Sequence, residues 1–111
     1  MSLAALKVGD ALDLLHFCLS EGGSVRRGPH FLKALSDEGL TLPDAWQILR
    51  NGRIYEAPDQ DIKTREWKYR VEGYTPDGVW LVIVFCFKEV DRAFLITIFS
   101  VEARRRGDHA K

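Results

Sequence analysis

Apolar positions recur at helical spacing through the first half of the chain and at strand spacing through the second. Leu12, Leu15, Cys18 and Leu19 form one helical stripe, with His16 off it. Asp10 is placed to cap the start of this helix, Asp13 suits the positive end of its dipole, and Gly22-Gly23 would end it in the left-handed conformation. Ser24 to Arg27 predicts a short strand. Pro29 favours a first helical turn, so Phe31, Leu32 and Leu35 predict a short helix to Glu38, stopped by Gly39. Thr41-Leu42-Pro43-Asp44 combines an N-cap, a first-turn proline and a capping-box acid. Leu42, Ala45, Trp46 and Leu49, with Ile48 beside them, carry that helix to Asn51-Gly52.

After a brief strand at Ile54 to Glu56, the polar stretch Ala57 to Arg65 predicts a loop. The period then changes to two. Trp67, Tyr69 and Val71 alternate with Lys68, Arg70 and Glu72, which is a half-buried strand. Thr75-Pro76-Asp77-Gly78 is a hairpin turn, with Pro pre-set for its second position and Gly supplying positive φ. Val79 to Phe87 and Ala93 to Val101 are apolar on both faces, separated by a charged turn at Lys88 to Arg92. Helices followed by a three-stranded antiparallel meander define an α+β fold, one domain over 1–111 with its core at about 10–101 and a charged tail at 102–111. The helices cover one face of the sheet. The face that includes Trp80, Val82 and Val84 is left as a candidate interface, including a homodimer contact.

Composition narrows the function classes. Sixteen basic and sixteen acidic residues cancel, so any anion-binding surface must arise from local segregation of charge. No apolar run approaches the ~20 residues that span a bilayer, and Met1 to Gly9 has no apolar leader core, so a cytoplasmic, non-membrane protein is expected. Cys18 and Cys86 lie in apolar runs as free thiols. His16, His30 and His109 have no metal-ligand spacing, and no nucleotide-binding glycine pattern is present, so neither metal nor cofactor is expected.

Charge segregates in two places. His30 follows Arg26 and Arg27, pairing a residue type suited to proton transfer near neutral pH with guanidinium forks that match phosphate. Lys63, Arg65, Lys68 and Arg70 interleave with Trp67 and Tyr69, the mixture of cations and aromatics that a single-stranded RNA groove requires. Alternation places Lys68 and Arg70 on one face and Trp67 and Tyr69 on the other. The aromatic pair is therefore expected in the core, with Tyr69 as an acid or base the lesser alternative. Lys88 and Arg92 flank a hairpin turn and can reach phosphate. Arg104-Arg105-Arg106 suits a solubilising tail.

The stretch Val25-Arg26-Arg27-Gly28-Pro29-His30-Phe31 leading into Ala34 to Leu40, the helix Leu42 to Asn51, Gly52-Arg53-Ile54-Tyr55, and Tyr69-Arg70-Val71 with Gly73 resemble the RelE/ParE-like toxin superfamily, nearest its small uncharacterised bacterial branches and the MqsR-like toxins. The resemblance implies a RelE-like fold and a toxin that cleaves mRNA without a metal, with or without the ribosome, and is neutralised by an antitoxin. It implies catalytic roles for His30, Arg70 and Tyr69, and RNA contacts from Arg26, Arg27, Lys63, Arg65, Lys68 and Lys88. The cancelled net charge favours the alternative, a non-catalytic protein-binding or dimerisation module of the same fold.

Overall fold

The structure, a computed structural model, describes residues 3–101. In chain order it contains α1 (Val8–Cys18), β1 (Ser24–Arg27), α2 (Pro29–Asp37), α3 (Leu42–Asn51), β2 (Asp59–Gln60), β3 (Trp67–Tyr74), β4 (Trp80–Glu89) and β5 (Arg92–Val101). The α+β class holds, but the sheet is larger than a meander. Its five strands run in the order β1-β5-β4-β3-β2. β3, β4 and β5 are antiparallel neighbours as expected, and β1 joins the edge of β5 in parallel, pairing Val25 with Ala93 and Arg26 with Phe94. The sheet is therefore mixed. A parallel neighbour needs a long crossover, and here the intervening chain folds into α2, α3 and the strands from β2 to β4.

One face of the sheet carries the core. Tyr69 and Val71 of β3, Leu81, Ile83, Phe85 and Phe87 of β4, and Ala93, Leu95 and Ile98 of β5 form one cluster with Ala11, Leu15, Phe31, Leu35, Ala45, Ile48 and Leu49 of the helices. Fully burying a side chain such as Leu15 or Ile48 contributes roughly 1.5–3 kcal/mol before chain entropy is counted. The opposite, outer face carries Lys68, Arg70, Glu72 and Tyr74 of β3, and Trp80, Val82, Val84 and Cys86 of β4, as their cross-strand pairs show. Arg26, Phe94, Thr97, Phe99 and Val101 complete it. Val82 and Cys86 lie on this face yet are buried.

Several local expectations are corrected. α1 begins at Val8, with Lys7 as N-cap and no side-chain cap, so Asp10 sits within the first turn and does not cap it. α1 ends at Cys18, short of Gly22-Gly23, and neither glycine has positive φ. Gly23 instead has its backbone against its neighbours: a Cβ there would stand 2.7 Å from Cys18 Cα and 2.9 Å from the Asp91 carbonyl. No strand forms at Ile54 to Glu56. Arg53 makes an isolated antiparallel bridge to Glu72, and Ile54 turns into the core. The expected loop holds the short strand β2. Its connection to β3 is a tightly bonded turn in which Asp61 Oδ1 accepts from the Lys63 and Thr64 backbone N–H groups at 2.8 and 2.9 Å. Those two bonds hold the exposed Asp61 carboxyl below its ordinary pKa. The charged turn shrinks to Val90-Asp91, because β4 runs to Glu89 and β5 starts at Arg92. Two register shifts interrupt the β4–β5 pairing, leaving Ile96 of β5 and Lys88 of β4 without partners. The tail expected at 102–111 lies outside the described residues.

α3 begins as its sequence predicts. The Thr41 hydroxyl accepts from Asp44 N at 3.4 Å, and the Asp44 carboxylate accepts from Thr41 N at 2.9 Å. Both groups lie at the surface of an otherwise regular helix start, so Thr41→Ala should lower stability by about 1 kcal/mol. Urea unfolding is the check, with an unchanged denaturant slope expected.

Candidate nucleic-acid interface

The junction between β1 and α2 is shaped by one glycine. Gly28 ends the parallel pairing by donating its N–H to the Leu95 carbonyl at 3.0 Å, then caps α2 by accepting from Leu32 N at 3.0 Å. A Cβ at this position would lie 2.6 Å from Phe94 Cζ and 2.9 Å from the Leu95 oxygen. The bare backbone therefore lets the Phe94 ring press against the strand-to-helix turn. On the ring, Lys88 Nζ stands 5.1 Å from the centroid, within range of a cation–π attraction. Lys88 reaches it from the bulge in β4, a device that re-aims side chains.

Around this ring lies an open cleft of about 270 Å³ lined by Arg26, Pro29, Lys88, Arg92, Ala93 and Phe94. Three cations from three strands thus converge on one aromatic side chain. Lys88 is held by both oxygens of Glu66, at 2.8 and 3.0 Å, and this hydrogen bonding raises its pKa. Arg92 lies 3.7 Å from Glu89, a loose and exposed pair. Arg26 has no ion pair among the described residues.

The structure joins some of the predicted site residues and separates others. Arg26 and Lys88, distant in sequence, share the cleft. Arg27 pairs with Leu95, so alternation turns it toward the helix side of β1. His30 is exposed on the first turn of α2, one residue beyond Pro29, and does not line the cleft. Arg70 is exposed at the middle of the outer face, opposite Val84. Lys68 bridges to Asp61 at 3.5 Å. Lys63 and Arg65 stand on the β2–β3 turn, with Arg65 at φ 68°.

Tyr69 faces the core. Its ring stacks on Phe85 at 5.6 Å, and its hydroxyl accepts from the Leu6 N–H at 2.9 Å. Burial pushes its pKa up, against the pull of that bond. The packing reading of Tyr69 is thus the one the geometry fits. Cys18 and Cys86 are both buried free thiols, each pushed up to about 11, chiefly by burial.

Phe94 is the residue that sequence reasoning passed over. It sits in a run of β5 that is apolar on both faces, so nothing in the pattern set it apart from core positions. Among the described residues, no helix is long and apolar enough to cross a membrane, and no group of three or more His, Cys, Asp or Glu side chains could hold a metal ion.

Residues 28–100, about two thirds of the chain, match the model of a domain of unknown function, DUF4258. The chain belongs to the DUF4258 family. No curated protein and no solved structure matches it significantly. The DUF4258 match begins at Gly28, so Pro29, Lys88, Arg92 and Phe94 fall within it, whereas α1, β1 and Arg26 precede it.

Gly28→Ala tests the shape of the junction. The added methyl must displace Phe94 or the β5 backbone, so stability should fall by about 1–3 kcal/mol, as overpacking commonly costs. Thermal unfolding reads the loss, and the chemical shifts of the Phe94 ring protons report its displacement.

Proposed function

We propose that this chain binds single-stranded RNA through the cleft around Phe94 and acts on mRNA as a metal-independent endoribonuclease, the toxin of a toxin–antitoxin pair with a RelE-like fold. The observation that carries the reading is the convergence of Arg26, Lys88 and Arg92 on the Phe94 ring. Guanidinium forks hold phosphate oxygens, the Glu66-anchored ammonium of Lys88 adds a fixed donor, and an aromatic face stacks a base without regard to its identity. The same cations would stabilise the dianionic phosphorane formed when a 2′-hydroxyl attacks its own phosphodiester. His30, next to a cleft-lining residue, is the group assigned to proton transfer in this reading. An antitoxin would act by covering the cleft with acidic groups.

Binding and cleavage are separable by experiment. Fluorescence anisotropy with a labelled single-stranded RNA should show affinity that falls with salt. Arg26→Ala and Arg92→Ala should each weaken binding and reduce the salt slope by about 0.7 for each phosphate no longer neutralised. Equal affinity in both variants removes the cleft assignment. Induced expression with mapped transcript ends tests cleavage: new 5′ ends should appear with wild type and vanish with His30→Ala.

A second reading, a non-catalytic binding or dimerisation module, is favoured by the exposed aromatic side chains Tyr55 and Tyr74 on the outer side of the sheet next to Trp80. A mass in light scattering that rises with concentration, and does not rise in Trp80→Lys, would establish it. Trp80 is the position to alter, because Val82 is only 3% exposed and a charge there would disturb folding.

A further inference from the structure

The far end of the outer face has a different chemistry from the cationic cleft. Trp80 packs edge-on against Tyr74, with ring centroids 4.6 Å apart, and Tyr55 lies 6.0 Å away on the other flank. The indole Nε1–H donates to Glu72 Oε1 at 3.0 Å. That bond fixes both partners: the ring cannot turn freely, and the carboxylate is held beside it. Glu72 Oε1 still has a lone pair, and no described residue hydrogen-bonds Oε2. Tyr55 and Tyr74 are more than half exposed. Two arginines flank Glu72 on this face. Arg53 pairs with it in the isolated bridge, and Arg70 precedes it by one alternation of β3.

Aromatic faces, a fixed carboxylate and flanking cations together specify a ligand. It must be planar and aromatic, must offer N–H donors along one edge, and must carry negative charge within reach of the long Arg53 and Arg70 side chains. A lipid headgroup lacks the ring, and a basic peptide would meet Arg53 and Arg70. A nucleotide fits. Among the four bases, guanine alone presents two parallel N–H donors, N1–H and the N2 amino group, on its Watson–Crick edge. A carboxylate accepts both. Adenine and cytosine offer one amino donor there beside an acceptor nitrogen that would face the carboxylate, and uracil offers a single N–H between two carbonyls.

We propose that Tyr55, Tyr74, Trp80 and Glu72 form a guanine-selective base site, with Arg53 and Arg70 placed for its phosphate. Trp80 lies roughly 20 Å along β4 from Cys86, the cross-strand partner of Phe94, at ~3.3 Å per residue. The proposal deepens the RNA reading, on which its biological meaning rests: a single strand crossing the outer face would be gripped at the cleft and read at Trp80. A duplex cannot use the site, because its Watson–Crick edges are already paired.

The experiment is a titration of the full-length protein with the 5′-monophosphates of guanosine, adenosine, cytidine and uridine. It is followed through the Trp80 indole N–H resonance in proton–nitrogen correlation spectra, assigned by its loss in Trp80→Phe. Guanosine monophosphate should move this resonance at concentrations about 10-fold lower or more than the other three nucleotides require, adenosine monophosphate included, as a two-donor contact to a base edge discriminates. Glu72→Gln should abolish the preference and leave stacking. Tyr74→Ala should weaken all four nucleotides alike.

Equal responses to guanosine and adenosine monophosphates, equal responses to all four nucleotides, or a guanine preference that persists in Glu72→Gln, overturn the proposal. A resonance that moves with protein concentration and ignores nucleotides assigns the surface to a second copy of the chain and overturns it equally. A Trp80 resonance shifted in a full-length variant with Arg104, Arg105 and Arg106 changed to Ser, without ligand, would assign the site to the chain's own tail and also overturn it. Loss of RNA-oligomer binding in Arg26→Ala with the guanine preference intact supports two separate sites. Absence of any oligomer binding by wild type, with the preference intact, removes the RNA reading alone.

Discussion

The parallel pairing of β1 with β5 is the constraint on which the rest of the molecule depends. β5 is a central strand only because β1 occupies its free edge. Without it, the backbone of Arg92 to Leu95 would present unpaired donors and acceptors, an edge that proteins rarely leave open beside apolar side chains. The pairing also sets where α2 begins, because Gly28 leaves the strand and enters the helix cap in a single residue. It places Arg26 beside Phe94 across the strands. Core, helix placement and cationic cleft therefore share one set of backbone hydrogen bonds.

The outer face is not a uniform polar surface. At one end cations surround a phenyl ring. At the other, tyrosines and a tryptophan surround a carboxylate; Val82 is buried between them, and Cys86 is buried opposite Phe94 at the cationic end. Zero net charge is compatible with this, because acids stand beside many of the bases and leave only some of them unpaired. Glu66 and Asp61 neutralise Lys88 and Lys68 locally, while Arg26 and Arg70 have no ion-pair partner among the described residues. Surface ion pairs such as these are worth little to stability; their effect here is positional, Glu66 holding the Lys88 ammonium beside the Phe94 ring.

Local chemistry was legible in the chain itself. The capping box at Thr41, the Pro-Asp-Gly hairpin and the alternation of Trp67 to Val71 all act between near neighbours, and each stands where its residues predicted. The stop at Gly39 holds as well, and the structure gives that residue a positive φ. Contacts between distant segments were not legible. Nothing in Ser24 to Arg27 says that its partner is Arg92 to Leu95 or that the pairing is parallel. Asp10 shows the limit of a capping signal: apolar Val8 already packs against the core, and that packing draws the helix start three residues earlier. For the site, Arg26 and Lys88 were visible as cations but not as neighbours. Phe94 was hidden because both faces of its strand are apolar.

The two irregularities in the β4–β5 hairpin have opposite sense, one extra residue on each strand, and so they cancel. Outside them the hairpin keeps one frame from Glu89 and Arg92 at the turn to Trp80 and Val101 at the far end; between them, Phe85 to Phe87 and Ala93 to Leu95 run out of phase by one position. Had the frame been continuous, Phe85 and Phe87 would oppose Ile96 and Phe94. Phe94 would then point into the core, and Leu95 would take its place outside. A one-residue slip turns a strand over, and here the inversion is confined to the stretch that β1 borders. Deleting either extra residue alone would carry the inversion to one end of the hairpin, whereas removing both would give a smoother sheet with its phenyl ring on the wrong side.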